Sequence, residues 1–417
     1  MLKNKYNQHK ETIHNFFWRA LQVFGKQGIV FLIFILAAKL LIPYDFGIYN
    51  YVLAIVFFLI MFADFGISTA TSKYVAEYNT TDKEKLKSVL FNSGIIILGL
   101  TLFISLITLL FGKFYLGYNY VYVIYLLPLI FLIPMTSLYD GIYRGLKKFK
   151  YLSIISILVG LFSLSFVYLL VRQYGLVGAL VAQNLFYLIL FLALACGYRE
   201  FHFKLNKTVM NDIGKYAFVY GIAVFGYYLF SRMDVLILGH FGYINEIAIY
   251  ELINKIFLIL IMPFAIIGQV VAPNFARDYA LKKYKKIYGK LKKYTILFLV
   301  IAIIMGLVTW LIIPQIIKLF FENYYGPIFY QIFPISLIIF MVHVSASAVD
   351  HGIIIPTGYA RLMSSLYIIL GIFNLILSLI LLNLLGFMGV IYATLISMVT
   401  MVFGLRTLYF WKIKKLI

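Results

Sequence analysis

Charge is scarce in this chain, and acid is scarcer still. Only 12% of its 417 residues are Asp, Glu, Lys or Arg, while 64% are hydrophobic. A water-soluble chain of this length could not bury that much apolar surface, so a soluble globular fold is excluded. There is a single cysteine, Cys196, which excludes a disulfide framework and a cysteine-based metal site. No G-x-x-x-x-G-K-[ST] segment occurs, which leaves no phosphate loop for ATP hydrolysis. The strict alternation that marks the roughly 10-residue strands of a membrane barrel is also missing.

What is present is a series of apolar runs, each long enough to cross a bilayer as helix, which takes about 20 residues. The chain reads as an all-α polytopic membrane protein of about twelve transmembrane helices. They fall near 16–42, 46–72, 88–112, 119–140, 151–171, 176–197, 215–240, 247–271, 294–314, 326–350, 362–384 and 387–411. The polar first 14 residues lead into a long span with no small-residue cleavage site, so the first helix is expected to stay attached.

The formal net charge is +21, from 36 basic against 15 acidic residues. In a soluble protein that excess would suggest nucleic acid. Here the cations alternate with the spans. The N-terminus, the 73–87, 141–150, 198–215 and 272–293 connections, Arg361 and the C-terminal tail hold nearly all of them. The intervening connections offer only Lys39, Lys113, Arg172 and Lys318. This asymmetry predicts a multi-pass plasma (inner) membrane protein with both termini in the cytoplasm, and it removes nucleic acid as a partner.

The two halves resemble each other. Tyr49 in FGIYNYV (46–52) aligns with Tyr250 in AIYELIN (248–254), and YVAEY (74–78) aligns with FARDY (275–279). Farther on, GLVGAL (175–180) aligns with GFMGVI (386–391), and Gly160 with Gly371. Two six-helix repeats follow, expected as lobes at 1–200 and 201–417 around a central cavity. Six is an even number, so both halves enter the membrane in the same sense. Paired repeats of this kind hold substrate near the midplane.

Candidate site residues are the polar groups set within the spans. Asn15, Arg19, Gln22 and Lys26 lie within roughly a 60° arc of one helix face. A charge at a helix centre costs roughly 2.5–3.5 kcal/mol on insertion scales. Lys26 is too deep to reach the interface easily. It either staples helices through a carboxylate or lines a wet cavity that meets an anion. A second stripe runs through Tyr216, Tyr220, Ala223, Tyr227, Ser231 and Asp234. Its tyrosines serve ordinary packing or offer rings and hydroxyls to a sugar. Glu251 and Lys255, at i and i+4, can pair with each other or serve a ligand or ion. Asp64, Asp140 and Asp350, at the cytoplasmic ends of spans, read as interfacial or turn residues. The outer loops are short, with acids only at Asp45, Glu246 and Glu322, which argues against a membrane glycosyltransferase or polymerase. No catalytic residue, metal site or cofactor is expected, and the chain does not read as an enzyme.

The series KLLIPYDFGIYN (39–50), FADFGISTATSKYVAEY (62–78), DGIYRGLKKF (140–149) and RMDVLILGHFG (232–242) resembles the polysaccharide-export family of lipid-linked oligosaccharide flippases. The superfamily also contains multidrug and toxin extrusion exporters and lipid II flippases. The resemblance implies two six-helix lobes around a V-shaped cavity, working by alternating access. It implies a polyprenyl-diphosphate- or phosphate-linked oligosaccharide, moved from inner to outer leaflet for cell-surface polysaccharide or glycan assembly. In the lipid II flippase branch, cavity cations on the first and eighth spans are important, and Lys26 and Lys255 occupy comparable places here. Arg19, Gln22, Lys26, Tyr220, Tyr227, Asp234, Glu251 and Lys255 are then the candidate substrate contacts. Candidate partners are the lipid-linked oligosaccharide, the bilayer, a coupling ion (H+ or Na+) and glycan-assembly enzymes. Two alternatives stay open: an ion-coupled drug or toxin antiporter of the same superfamily, for which Asp64, Asp234 and Glu251 could carry the ion, and a membrane polysaccharide polymerase.

Overall fold

A computed structural model describes residues 18, 21–22, 25–198 and 203–417. Every regular element among them is helical. The first described helix, α1, covers 25–40. It is followed by α2 (Pro43–Asp64), α3 (Ile67–Thr81), α4 (Lys83–Leu116), α5 (Tyr120–Tyr125), α6 (Leu129–Gly145) and α7 (Phe149–Cys196). Then come α8 (Lys207–His240), α9 (Ile244–Ala280), α10 (Tyr284–Phe320), α11 (Pro327–Val349), α12 (Ala360–Leu385) and α13 (Phe387–Leu416). A π-helical stretch, Asp350–Tyr359, joins α11 to α12.

Eight helical stretches among the described residues are long and apolar enough to cross a membrane. Two of them each hold two of the predicted spans. Helix α7 has 48 residues, about 72 Å of helix at 1.5 Å per residue, against a hydrocarbon core of ~30 Å. It breaks at Gly175 (φ 51, ψ −128). The 59-residue stretch from Pro327 to Leu385 breaks at Gly358 (φ 93). With those breaks, and with α1 and α6 at the first and fourth predicted spans, the helices match the expected order. The protein is a polytopic all-α membrane protein.

Glycine explains why the breaks fall where they do. At Gly178, one turn past the Gly175 corner, a Cβ would lie 1.9 Å from the Leu170 carbonyl oxygen. At Gly389, one turn past Gly386 (φ 61), it would lie 2.1 Å from the Leu381 carbonyl oxygen. Only a residue without a side chain lets the chain reverse so tightly. These are the positions that GLVGAL and GFMGVI align, so the repeat in sequence is a repeat in backbone geometry. A second equivalence concerns packing. A Cβ on Gly160 would meet Ile29 of α1 at 2.5 Å, and one on Gly371 would meet Leu229 of α8 at 2.8 Å. In each half, a glycine of the fifth span seats the first span. Lipid leaves little hydrophobic force between helices, so close approach at small residues is what holds them.

The chain divides into two compact units, residues 1–41 with 52–224, and residues 42–51 with 225–417. In the first unit, α2 stops at Phe65 (φ 36) and Gly66 (φ 83). Asp64 caps the helix that restarts, accepting from the Ser68 amide at 3.0 Å and the Ser68 hydroxyl at 2.5 Å. Asp64 is therefore a turn residue, as its position suggests. The start of α8 is fixed by polar contacts within this unit. Buried Asn92 of α4 donates to the Lys204 carbonyl at 3.0 Å and accepts from the Asn206 amide at 2.9 Å. Asn206 caps α8 through the Thr208 and Val209 amides, and Tyr78 of α3 donates to Asp212 at 2.8 Å.

In the second unit, α9 packs on α11 and on the π-helical stretch, and α13 packs on α12, α11 and α10. Aromatic rings line this core. Phe257 of α9 stacks on Phe340 of α11 at 4.7 Å, and Tyr359 meets Tyr409 edge-on at 5.0 Å.

Candidate functional site

In the first unit the stripe on the first helix is partly described. Arg19 and Asn15 lie outside the described residues. Gln22 is buried, and its amide donates to Asp140 Oδ1 of α6 at 2.7 Å. The other oxygen, Asp140 Oδ2, is 2.7 Å from Arg144 Nε, one turn along α6. Asp140 is thus more than an interfacial residue: it gathers an amide and a guanidinium, and it ties the first helix to the fourth span. Lys26 is half-buried one turn beyond Gln22, and no ion pair holds it among the described residues. Tyr220 is exposed on α8, with its ring edge against the Gly66 break.

In the second unit, the end of α8 and the start of α9 bring four charged residues together. They meet because Gly242 (φ 83) turns the chain tightly between the two helices. Arg232 Nη1 donates to Glu251 Oε1 at 2.9 Å. Asp234 Oδ2 accepts the Tyr250 hydroxyl at 2.5 Å, and Oδ1 accepts the Val235 amide at 2.8 Å. Lys255 stands one turn after Glu251, half-buried, in the field of both Glu251 and Arg232. Asp234 and Glu251 are both buried, whereas the Arg232 side chain is 37% exposed. Two acids and two cations thus form a cluster with no net formal charge. Each buried carboxylate has a hydrogen-bond donor, the condition for keeping one at membrane depth.

The tyrosine stripe changes character along its length. Tyr227 is exposed and meets Tyr367 edge-on at 5.2 Å. Asp234, on the same face two turns on, is buried. The cause is α9, whose Tyr250 covers that last part of α8. Sequence spacing places both residues on one face, yet only contacts tell which part of the face is covered.

Local spacing allows Glu251 to pair with Lys255 or to serve a ligand or ion. The structure gives its carboxylate to Arg232, a residue the spacing argument passes over. Elimination could have found it: once the loop cations are assigned, the 36 basic residues leave Lys26, Arg232, Lys255 and Arg406 inside the spans. Arg406 also lies within the second unit and donates to the Ser345 carbonyl oxygen. Asp350, expected at an interface, is buried at the start of the π-helical stretch, in the field of Arg406.

With this geometry established, comparison with known proteins places the chain. A family described as "Polysaccharide biosynthesis protein" matches residues 12–279, and the MatE family matches residues 220–380. An uncharacterized membrane protein of Methanocaldococcus jannaschii is 27% identical over 421 residues, covering 93% of this chain and 95% of the relative. Among solved structures, the lipid II flippase MurJ in an inward closed conformation superposes with a TM-score of 0.74 at 17% identity, over 97% of this chain and 89% of that one. An inward-facing multidrug resistance MATE family transporter of the MOP superfamily gives a TM-score of 0.72 at 16% identity, over 95% of this chain and 96% of that one. At these identities the structural likeness establishes the fold.

Proposed function

We propose that this chain, which belongs to the polysaccharide biosynthesis protein family and is a transporter of the MOP superfamily, flips a polyprenyl-(di)phosphate-linked oligosaccharide from the inner to the outer leaflet by alternating access. The observation that carries the reading is the family match over residues 12–279, more than half of the chain. The polar groups support it. A diphosphate needs cations at membrane depth. Lys26 in the first unit and Lys255 in the second are the proposed phosphate contacts, with Gln22 one turn before the former and Arg19 a further candidate on the same stripe of the sequence. A glycan needs aromatic faces with hydroxyl rims, and exposed Tyr220 and Tyr227 have that chemistry. Asp234 and Glu251 set the local charge that an incoming phosphate meets. In this reading the chain resides in the plasma membrane with both termini cytoplasmic, supplies lipid-linked sugar to glycan-assembly enzymes, and draws on a coupling ion (H+ or Na+).

A second reading follows from the MatE match over residues 220–380: an ion-coupled exporter of drugs or toxins. Binding separates the two. Purified protein in detergent is titrated with a polyprenyl diphosphate carrying a short glycan, and separately with a cationic dye. The flippase reading predicts saturable binding of the first that weakens with Lys26→Ala, and no saturable binding of the second. Dye binding without lipid-diphosphate binding sinks it.

A further inference from the structure

The start of α10 and the end of α13 carry a basic face that the proposed transport does not use. On α10, Lys285, Lys292, Ile296, Leu299, Ile303 and Leu307 fall on one stripe by helical spacing, and all six are exposed. From Ile296 onward the stripe is apolar, as a lipid-facing surface is. Lys292 precedes Ile296 by about 6 Å along the axis, at 1.5 Å per residue. Lys292 therefore stands where the apolar stripe ends, and Lys285 lies two turns, about 10 Å, farther from it.

Helix α13 repeats the pattern in reverse. Exposed Phe403 and Trp411 lead to exposed Lys414 and Lys415, and the Lys415 ammonium lies 3.6 Å from the centre of the Trp411 ring. An aromatic followed at once by cations marks a membrane–water interface. The two helix ends belong to one unit, and Tyr288 of α10 meets Phe410 of α13 edge-on at 5.5 Å. Segments more than a hundred residues apart in sequence thus form one patch.

Compensating acid is confined to one spot. Buried Asp278 holds Lys286 at 3.0 Å and Lys290 at 3.6 Å. Among the described residues, Lys285, Lys292, Lys293, Lys414 and Lys415 have no carboxylate within ion-pair distance. Their charge faces the headgroup layer uncompensated.

We infer that this face binds anionic phospholipid headgroups. Lysines beside a bilayer attract such lipids through the surface potential, within a Debye length. The Asp278 pairs and the Trp411 contact hold neighbouring side chains in place, so the patch is presented on an ordered surface.

The test uses the full chain in nanodiscs of equal parts phosphatidylcholine and phosphatidylglycerol, with a spin-labelled trace of each. The expected result is a protein-immobilised fraction that favours phosphatidylglycerol by about threefold or more, falling toward parity in high salt. Lys285→Gln with Lys292→Gln, and Lys414→Gln with Lys415→Gln, each reduce the preference, and the four together abolish it. Lys113→Gln with Lys318→Gln, at the opposite ends of α4 and α10, leaves it unchanged. All the changed side chains of the α10–α13 patch are exposed, so the thermal transition stays at the wild-type temperature. Equal immobilisation of both lipids by the wild type overturns the inference. So does a preference that survives the fourfold change, or one that inorganic phosphate competes away, which would mark a site for soluble anions.

Discussion

Arg232 and Glu251 form an ion pair of unequal halves: the guanidinium nitrogen is 2.9 Å from the carboxylate oxygen, but the Arg232 side chain is 37% exposed and that of Glu251 only 5%. Removing the cation strands a buried carboxylate, whereas removing the anion leaves a cation that is part-exposed. Arg232→Gln is expected to cost about 2–3 kcal/mol, below the ~3–5 typical of a fully buried pair because one side is part-exposed. Glu251→Gln costs less, and the double variant recovers most of the loss. Thermal unfolding in detergent reads all three. Equal losses for the two single variants would contradict the asymmetry.

The repeated corners make a paired prediction. Gly178→Ala and Gly389→Ala each push a methyl against a backbone carbonyl oxygen, of Leu170 and Leu381 respectively. Neither oxygen is at the end of a flexible side chain, so the backbone must shift, at about 1–3 kcal/mol or more. The two losses should be similar. Gly99→Ala on α4, where nothing lies within 4 Å of the added carbon, should be neutral or stabilising. Yields and melting temperatures of the three proteins decide it.

Asn92 supports the beginning of α8. Asn92→Leu removes its bonds to the Lys204 carbonyl and the Asn206 amide, each worth about 1–3 kcal/mol if the backbone group is left unsatisfied. Hydrogen exchange at residues 206–209 should quicken well before exchange in α9. Unchanged protection there would show that the cap stands without Asn92.

The pairing of Glu251 with Arg232 makes Lys255 easier to test. Because Glu251 keeps Arg232, Lys255→Ala does not leave the carboxylate stranded. Lys255→Ala is therefore expected to lower the melting temperature less than Arg232→Gln does, while weakening lipid-diphosphate binding about tenfold, the loss of one charge-assisted contact. A large fall in stability with binding intact would assign Lys255 to structure alone.

Much of the fold was legible in the sequence because membranes impose it. Apolar runs, alternating basic loops and the glycine pairs at 160/371 and 175/386 are set by one-dimensional rules: length, charge and the absence of a side chain. The partners of polar residues were less legible. Glu251 could reach Lys255 by local spacing, but the Gly242 turn carries Arg232 to it from another helix. Tyr227 and Asp234 share a helical face, yet α9 covers one and leaves the other open. Asp350 reads as interfacial by its place at a span end, and the π-helical stretch buries it. Periodicity gives the face of a helix; only tertiary contact gives what lies opposite.

The most direct test of the central claim is flipping itself. Purified protein is reconstituted into liposomes that contain a fluorescent polyprenyl diphosphate bearing a short oligosaccharide, and a membrane-impermeant quencher reports the leaflet. The wild type is expected to equilibrate the lipid across the bilayer. Lys26→Ala should remain folded and fall to the rate of empty liposomes, and Lys26→Arg should retain most of the activity, because phosphate accepts either cation. A wild-type rate equal to that of protein-free liposomes, with cationic dye moved by the same vesicles, would contradict the flippase account.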